Sequence, residues 1–334
     1  MFDQAASLNF SIGACGQDSA GLGRRYCLMY DPTELVLAGV FTVALGIFVI
    51  GAALRRMRTT ATPAVAAVDR GPRDGAAPNQ PPVDAELPPA LPVGKVPVWF
   101  YRPWDLIGAG FVFGIFGVLV IGSAPAGHDA VQALRPITLV VNVAFQFVMA
   151  GVVAIVVVKR VGWVAWLGLR WPGWPWVFLL APCAVVFMWA VFGGLQVSGY
   201  MEWMDSLGVE TVQDTVKLLQ QSEDPLILGL MALAAVVAAP LCEEIVFRGY
   251  FYPVMKKFIG IWPAAVCSAL VFASAHGNLA ALLPLFVFGG VLVLIYEKTG
   301  SLWAPIAVHC CFNSATVIAQ FAVRYYHLPL DGPS

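Results

Sequence analysis

Apolar residues run along this chain in stretches long enough to cross a bilayer, at 35–54, 106–124, 137–158, 176–194, 226–242, 260–275, 279–296 and 302–323. A helical span needs about 20 mostly apolar residues, so the pattern predicts about eight transmembrane helices. The first four runs are clean. The last four are shorter, are broken by Pro or Gly, or carry ionisable residues. Polar or irregular backbone at membrane depth persists only when buried in protein or lining a cavity. The pattern alone therefore puts the functional half towards the carboxyl end. It predicts an all-α, polytopic helical bundle with some helices kinked or broken around an active site.

Composition agrees. Of 334 residues, 59% are apolar and 12% charged, against roughly 45–50% and 25% in soluble domains. Too few charges remain to cover a water-facing surface. A net charge of −1 with no basic stripe excludes nucleic acid as a partner. With the amino terminus outside, fourteen Lys and Arg fall on inner segments, and five on outer ones (Arg24, Arg25, Arg135, Lys217 and Arg324). The positive-inside rule then places residues 55–104 in the cytoplasm. Met1–Glu34 has no apolar core of its own and is expected not to be a cleaved leader.

Three regions follow: 1–54, an outer segment with a first anchoring helix; 55–104, a Pro- and Ala-rich cytoplasmic linker expected to be disordered; and 105–334, the membrane bundle. The acidic stretch 199–225 has apolar residues at helical spacing (Val209, Val212, Val216, Leu219), which predicts a short surface helix. Five of the seven cysteines sit in or beside apolar runs and read as small hydrophobes. Cys15 and Cys27, on the outer side, could form a disulfide. Trp163, Trp166, Trp171, Trp174 and Trp176 read as an interfacial aromatic belt.

The residues that do not fit the apolar core carry the chemistry. Ala239–Arg248 places Glu243, Glu244 and Arg248 in or at the end of an apolar run. A charge at mid-bilayer costs about 2.5–3.5 kcal/mol on insertion scales, so these groups must pair or face a wet cavity. Glu244 and Arg248 are four apart and share a helix face. Glu243 is rotated by about 100°, and its own four-apart neighbour is Phe247, which leaves it without a cation. An unpaired carboxylate in such surroundings suits a general base. Downstream, His276 ends one apolar run, and His309 and Asn313 lie one turn apart in the last. Ser274 and Cys242 are poorer nucleophile candidates, since no GxSxG elbow and no neighbouring cation accompany them.

Together, Glu243-Glu244-x-x-x-Arg248, Phe272-x-x-x-His276 and His309-x-x-x-Asn313 resemble the motifs of the CAAX-processing and bacteriocin-processing (CPBP, or Abi) intramembrane endopeptidases. These are relatives of the type II CAAX prenyl endopeptidase. Tyr296–Trp303 is also similar, and the resemblance covers about residues 226–323. It implies a metal-free glutamate-type protease without a cofactor. Glu243 would activate the attacking water, His276 would help to hold it, His309 and Asn313 would stabilise the oxyanion, and Glu244 and Arg248 would brace the site. It implies a peptide or protein substrate in or near the membrane, with prenylated tails and leader peptides both compatible. The expected location is a bacterial inner membrane, as a multi-pass protein with its amino terminus outside.

Two other readings compete. One is a zinc protease using Glu243, His276 and His309 as ligands, although no HExxH helix is present. The other is a non-enzymatic transporter or immunity protein whose buried Glu–His cluster relays protons or holds helices together. A geometric conflict also stands. In straight, level spans Glu243 and His276 would lie near opposite membrane faces. The Glu helix is therefore expected to run past Arg248 towards Lys256, with breaks around Pro240, Pro263 and Gly277.

Overall fold

A computed structural model describes residues 32–61, 94–122, 136–212, 216, 219 and 222–326. All that follows concerns the unit Asp31–Ser334. The proposed Cys15–Cys27 pair and the middle of the Pro-rich linker, 62–93, lie outside the described residues.

The expected all-α polytopic bundle is borne out. Ten helices are described: α1 Pro32–Ala61, α2 Asp105–Gly122, α3 Pro136–Val161, α4 Trp163–Leu167, α5 Val177–Val197, α6 Tyr200–Ser206, α7 Pro225–Ile259, α8 Ile261–Ser274, α9 Leu279–Thr299 and α10 Trp303–Tyr325. Six are long and apolar enough to cross a membrane, and α2 and α8 are shorter apolar helices. The eight apolar runs of the sequence each find a helix. The acidic stretch contains α6, and Val216 and Leu219, two of the residues that predicted a helix there, are also helical.

Large apolar side chains face outwards as well as inwards. On α5, Ala181, Ala184, Val185 and Met188 are buried, while Phe178, Val186, Trp189 and Val197 are exposed. An outer apolar surface is what a lipid-facing helix requires. α1 is packed into the bundle through Leu37, Phe41 and Ala44, spaced on one helical face. Its Gly51 is approached so closely by Ile259 that a Cβ there would stand 3.1 Å from it. α8 runs along both α9 and α1, and its small residues Ala264, Cys267 and Ala269 are nearly fully buried. Small residues let membrane helices come close. One close point is Gly289 of α9, where a Cβ would meet the Ala269 backbone at 3.1 Å.

α7 carries the two glutamates and is not a regular helix. It widens into π-type turns at Ala234–Ala238 and Phe247–Phe251. Proline follows each, Pro240 and Pro253. Proline removes a backbone donor and collides with the preceding turn, and wide turns of this kind recur at functional sites. In the first turn the Ala239 N–H donates five residues back to Ala234 O. On that ladder the next donor would be residue 240 to Ala235 O, which proline cannot supply. The Asn313 amide donates to Ala235 O instead, at 2.7 Å. At the second turn Gly249 O, four residues before Pro253, accepts the Trp166 indole N–H at 3.0 Å and the Tyr101 hydroxyl. Burial pushes the Tyr101 phenol well above its ordinary range, so it stays a donor. Each proline thus interrupts the ladder, and a side chain from a distant element covers a carbonyl beside the break.

Trp166 is consequently a buried structural residue, 3% exposed, rather than a member of the belt, whereas Trp163, Trp174 and Trp176 are exposed. Of the segment 55–104, residues 55–61 complete α1, and residues 94–104 lie against the bundle. Val96 and Tyr101 are buried. Lys256 Nζ reaches Val96 O at 2.9 Å, and Lys257 Nζ donates to Tyr101 O. At the start of α2, Asp105 is held by both guanidinium nitrogens of Arg160, at 2.6 and 3.0 Å.

Candidate active site

Three elements converge on the middle of α7. Glu244 is fully buried, and its Oε1 accepts twice: from Arg248 Nη1 at 2.8 Å and from His309 Nδ1 at 2.9 Å. The expected Glu244–Arg248 pair is present, with a third member 65 residues away. A buried ion pair needs its remaining donors satisfied. Arg248 also gives Nη2 to Gly289 O at 3.1 Å and lies over the Phe272 ring at 4.4 Å, while its Nε and Glu244 Oε2 have no hydrogen-bond partner among the described residues.

His309 is 3% exposed. With Nδ1–H given to Glu244, its Nε2 is turned towards Glu243, 4.0 Å from Oε2. Glu243 Oε2 is buried and has no hydrogen-bond partner among the described residues, while the Glu243 side chain as a whole is 22% exposed. The two neighbouring glutamates thus have opposite fates, as their rotation around the helix predicts. One is consumed by Arg248 and His309. The other faces a histidine across a gap that is too long for a hydrogen bond.

His276 stands two residues beyond α8, where Gly277 turns the chain with φ +67°. Its Nδ1 is 2.8 Å from Phe272 O, which fixes Nδ1 as the donor and leaves Nε2 as an acceptor. Phe272 is the common wall, its ring edge-on to His276 at 5.0 Å and to His309 at 6.0 Å between centroids. His276 makes no hydrogen bond to Glu243 or His309. Asn313 keeps its amide on Ala235 O.

The helix lengths resolve the depth conflict. α7 continues to Ile259, as expected, so Glu243 lies about midway along it. α8 has 14 residues, a rise of about 21 Å, short of the ~30 Å hydrocarbon core. Its end and His276 therefore need not reach the far face.

Ser274 Oγ is turned back to Leu270 O at 2.8 Å, and Cys242 is buried. Among the described residues no three His, Cys, Asp or Glu side chains are grouped closely enough to hold a metal ion, Glu243, His276 and His309 included.

The sequence pattern missed a second buried charge cluster one helical turn further on. Lys256 Nζ and the Tyr252 hydroxyl both meet Glu297 Oε1 at 2.6 Å. Arg248, Tyr252 and Lys256, four residues apart, thus tie α7 to α9 at Gly289 and again at Glu297. Gly94 closes the cluster from outside. A Cβ there would sit 1.8 Å from Glu297 Oε2, so a side chain would have to displace that carboxylate.

Residues 225–315 match the family model described as type II CAAX prenyl endopeptidase Rce1-like. The resemblance carried by the motifs is borne out. The Rce1-like segment begins with α7 and ends two residues after Asn313. A protein of Bacillus subtilis (strain 168) named "Putative membrane peptidase YdiL" is 30% identical over 98 residues, 29% of this chain and 40% of the relative. "Uncharacterized protein YpbD" of the same organism is 27% identical over 135 residues, 39% of this chain and 63% of that protein. The chain spans less than two thirds of the length of either. No solved structure matches it.

Proposed function

We propose that the chain is an intramembrane endopeptidase of the glutamate type. It would hydrolyse a peptide bond of a peptide or protein substrate in or near the membrane. The observation that carries this reading is the unpartnered carboxylate oxygen of Glu243 facing His309 Nε2 across 4.0 Å. A water in that gap gives up its proton to Glu243 as it attacks the carbonyl. His276, with Nε2 free to accept, holds the water from the Phe272 side.

His309 serves the oxyanion. Its Nδ1–H is fixed by Glu244, so Nε2 donates when the ring is cationic. The Asn313 amide nitrogen carries two hydrogens. One is given to Ala235 O, and the other joins His309 at the oxyanion. Such preorganised donors are usually the largest catalytic contribution. The Rce1-like match and the name of the B. subtilis relative support a peptidase; the metal-free mechanism is our reading. So are residence in a bacterial inner membrane and an outer amino terminus, which rest on the Lys and Arg distribution.

The test is cleavage by purified protein in proteoliposomes, offered a prenylated peptide and an unprenylated leader peptide. Wild type should cleave one class, and Glu243→Ala and His276→Ala should not, although both still insert. Full cleavage by Glu243→Ala would sink the assignment. The metal chelator 1,10-phenanthroline should leave wild-type cleavage unchanged, and its abolition with recovery on added zinc would favour the zinc protease.

A further inference from the structure

A cavity of about 510 Å³ opens far from the glutamates, where the chain leaves α3, passes through α4 and meets the end of α9. Two glycine turns build its wall. Gly168, at φ +66°, lies so near Ser301 that a Cβ there would stand 2.6 Å from Ser301 Cα, and Gly300 turns the chain at φ +70°. Ser301 Oγ locks the two together by donating to Gly168 O at 3.0 Å. Trp163 and Trp171 line the cavity with Arg170, and the lining has no acidic residue.

One cation lines this space and two more adjoin lining residues. Arg170 lines it, Lys298 precedes the lining residue Thr299, and the Cβ of Lys95 lies 3.1 Å from where a Cβ on Gly300 would be. All three residues are exposed. None of their side chains makes a hydrogen bond or ion pair among the described residues. The nearby carboxylate, Glu297, is turned inwards and held by Lys256 and Tyr252. The cavity thus joins unneutralised positive charge to indole rings at the ends of two apolar helices, α3 and α9. Indole rings settle at the headgroup level of a bilayer, and basic pockets between membrane helices take anionic headgroups.

We propose that this cavity is a binding site for the phosphodiester headgroup of an anionic phospholipid. Arg170 engages the phosphate, Lys95 and Lys298 add charge, and Trp163 and Trp171 flank the glycerol region. The site is independent of the peptidase reading, since no residue of the glutamate centre takes part.

The test is native mass spectrometry of the delipidated full chain in detergent, titrated with dioleoyl phosphatidylglycerol or dioleoyl phosphatidylcholine. Phosphatidylglycerol should saturate one site well before phosphatidylcholine binds. Arg170→Gln and Lys298→Gln should each weaken that site about fivefold, the effect of one cation near a lipid surface, and Arg170→Lys should retain most of the affinity. The substituted side chains are exposed, so thermal melting should not move and serves as the folding control. Equal binding of the two lipids, or unchanged phosphatidylglycerol affinity in both Gln variants, would overturn the proposal. Displacement of the lipid by millimolar inorganic phosphate would also overturn it, by showing a simple phosphate site.

Discussion

Glu243 and Glu244 are neighbours with the same chemistry and different surroundings, and those surroundings assign the roles. Glu243→Gln keeps the shape and removes the base, so cleavage should fall by about 10²–10⁴. Glu244→Gln acts through His309. A neutral amide no longer supports a positively charged ring at Nδ1, so the loss should resemble that of an oxyanion donor, about 10²–10³. It should fall on kcat, with KM little changed, as measured by steady-state kinetics on a fluorogenic peptide. The sequence made Glu243, His309 and Arg248 legible because ionisable groups are conspicuous in an apolar run. That Glu244 serves two partners was not legible, because one of them is 65 residues away and helix periodicity reports only near neighbours. Lys256 and Glu297 were invisible for the converse reason. They lie at the ends of apolar runs, where charges ordinarily meet water, and only the packing of α7 on α9 buries them together.

At the scale of the element, α7 shows why hydropathy misplaced a boundary. The apolar run ends at 242, yet the helix continues to Ile259. Of the charges that end the run, Glu244 and Arg248 pair inside the bundle rather than at its surface. The two prolines were legible as breaks; the side chains that cover the carbonyls beside them were not. This gives a coupled prediction. Asn313→Ala bares Ala235 O and should cost about 1–3 kcal/mol, read by thermal melting in detergent. Pro240→Ala restores a backbone N–H that can take Ala235 O itself. In that background the stability cost of Asn313→Ala should shrink, the signature of a double-mutant cycle between coupled groups. Cleavage should stay impaired in the double variant, because the oxyanion donor is still missing.

For the molecule as a whole, the eight apolar helices were legible because a bilayer demands about 20 apolar residues per span. The attachment of residues 94–105 was not, because a Pro-rich approach and backbone acceptors carry no periodic signal. These residues are bound through Lys256, Lys257, Tyr101 and Asp105, and they close the same end of the bundle as the Lys256–Glu297 pair. Lys256→Met leaves a buried carboxylate unpaired and should destabilise by about 3–5 kcal/mol. Adding Glu297→Leu should recover most of that loss, as judged by thermal melting of the single and double variants.

The two covered carbonyls of α7 also set an order of assembly. Tyr101 and Trp166 are made before α7, so Gly249 O can be covered as soon as the helix emerges. Asn313 is made 78 residues after Ala235, which at about 5–20 residues per second is a delay of roughly 4–16 s. Until α10 is in place, Ala235 O lacks the Asn313 amide and Glu244 lacks His309. The active centre is therefore finished by α10, the last of the described helices, and a nascent chain stalled before Trp303 holds both glutamates while remaining catalytically incomplete.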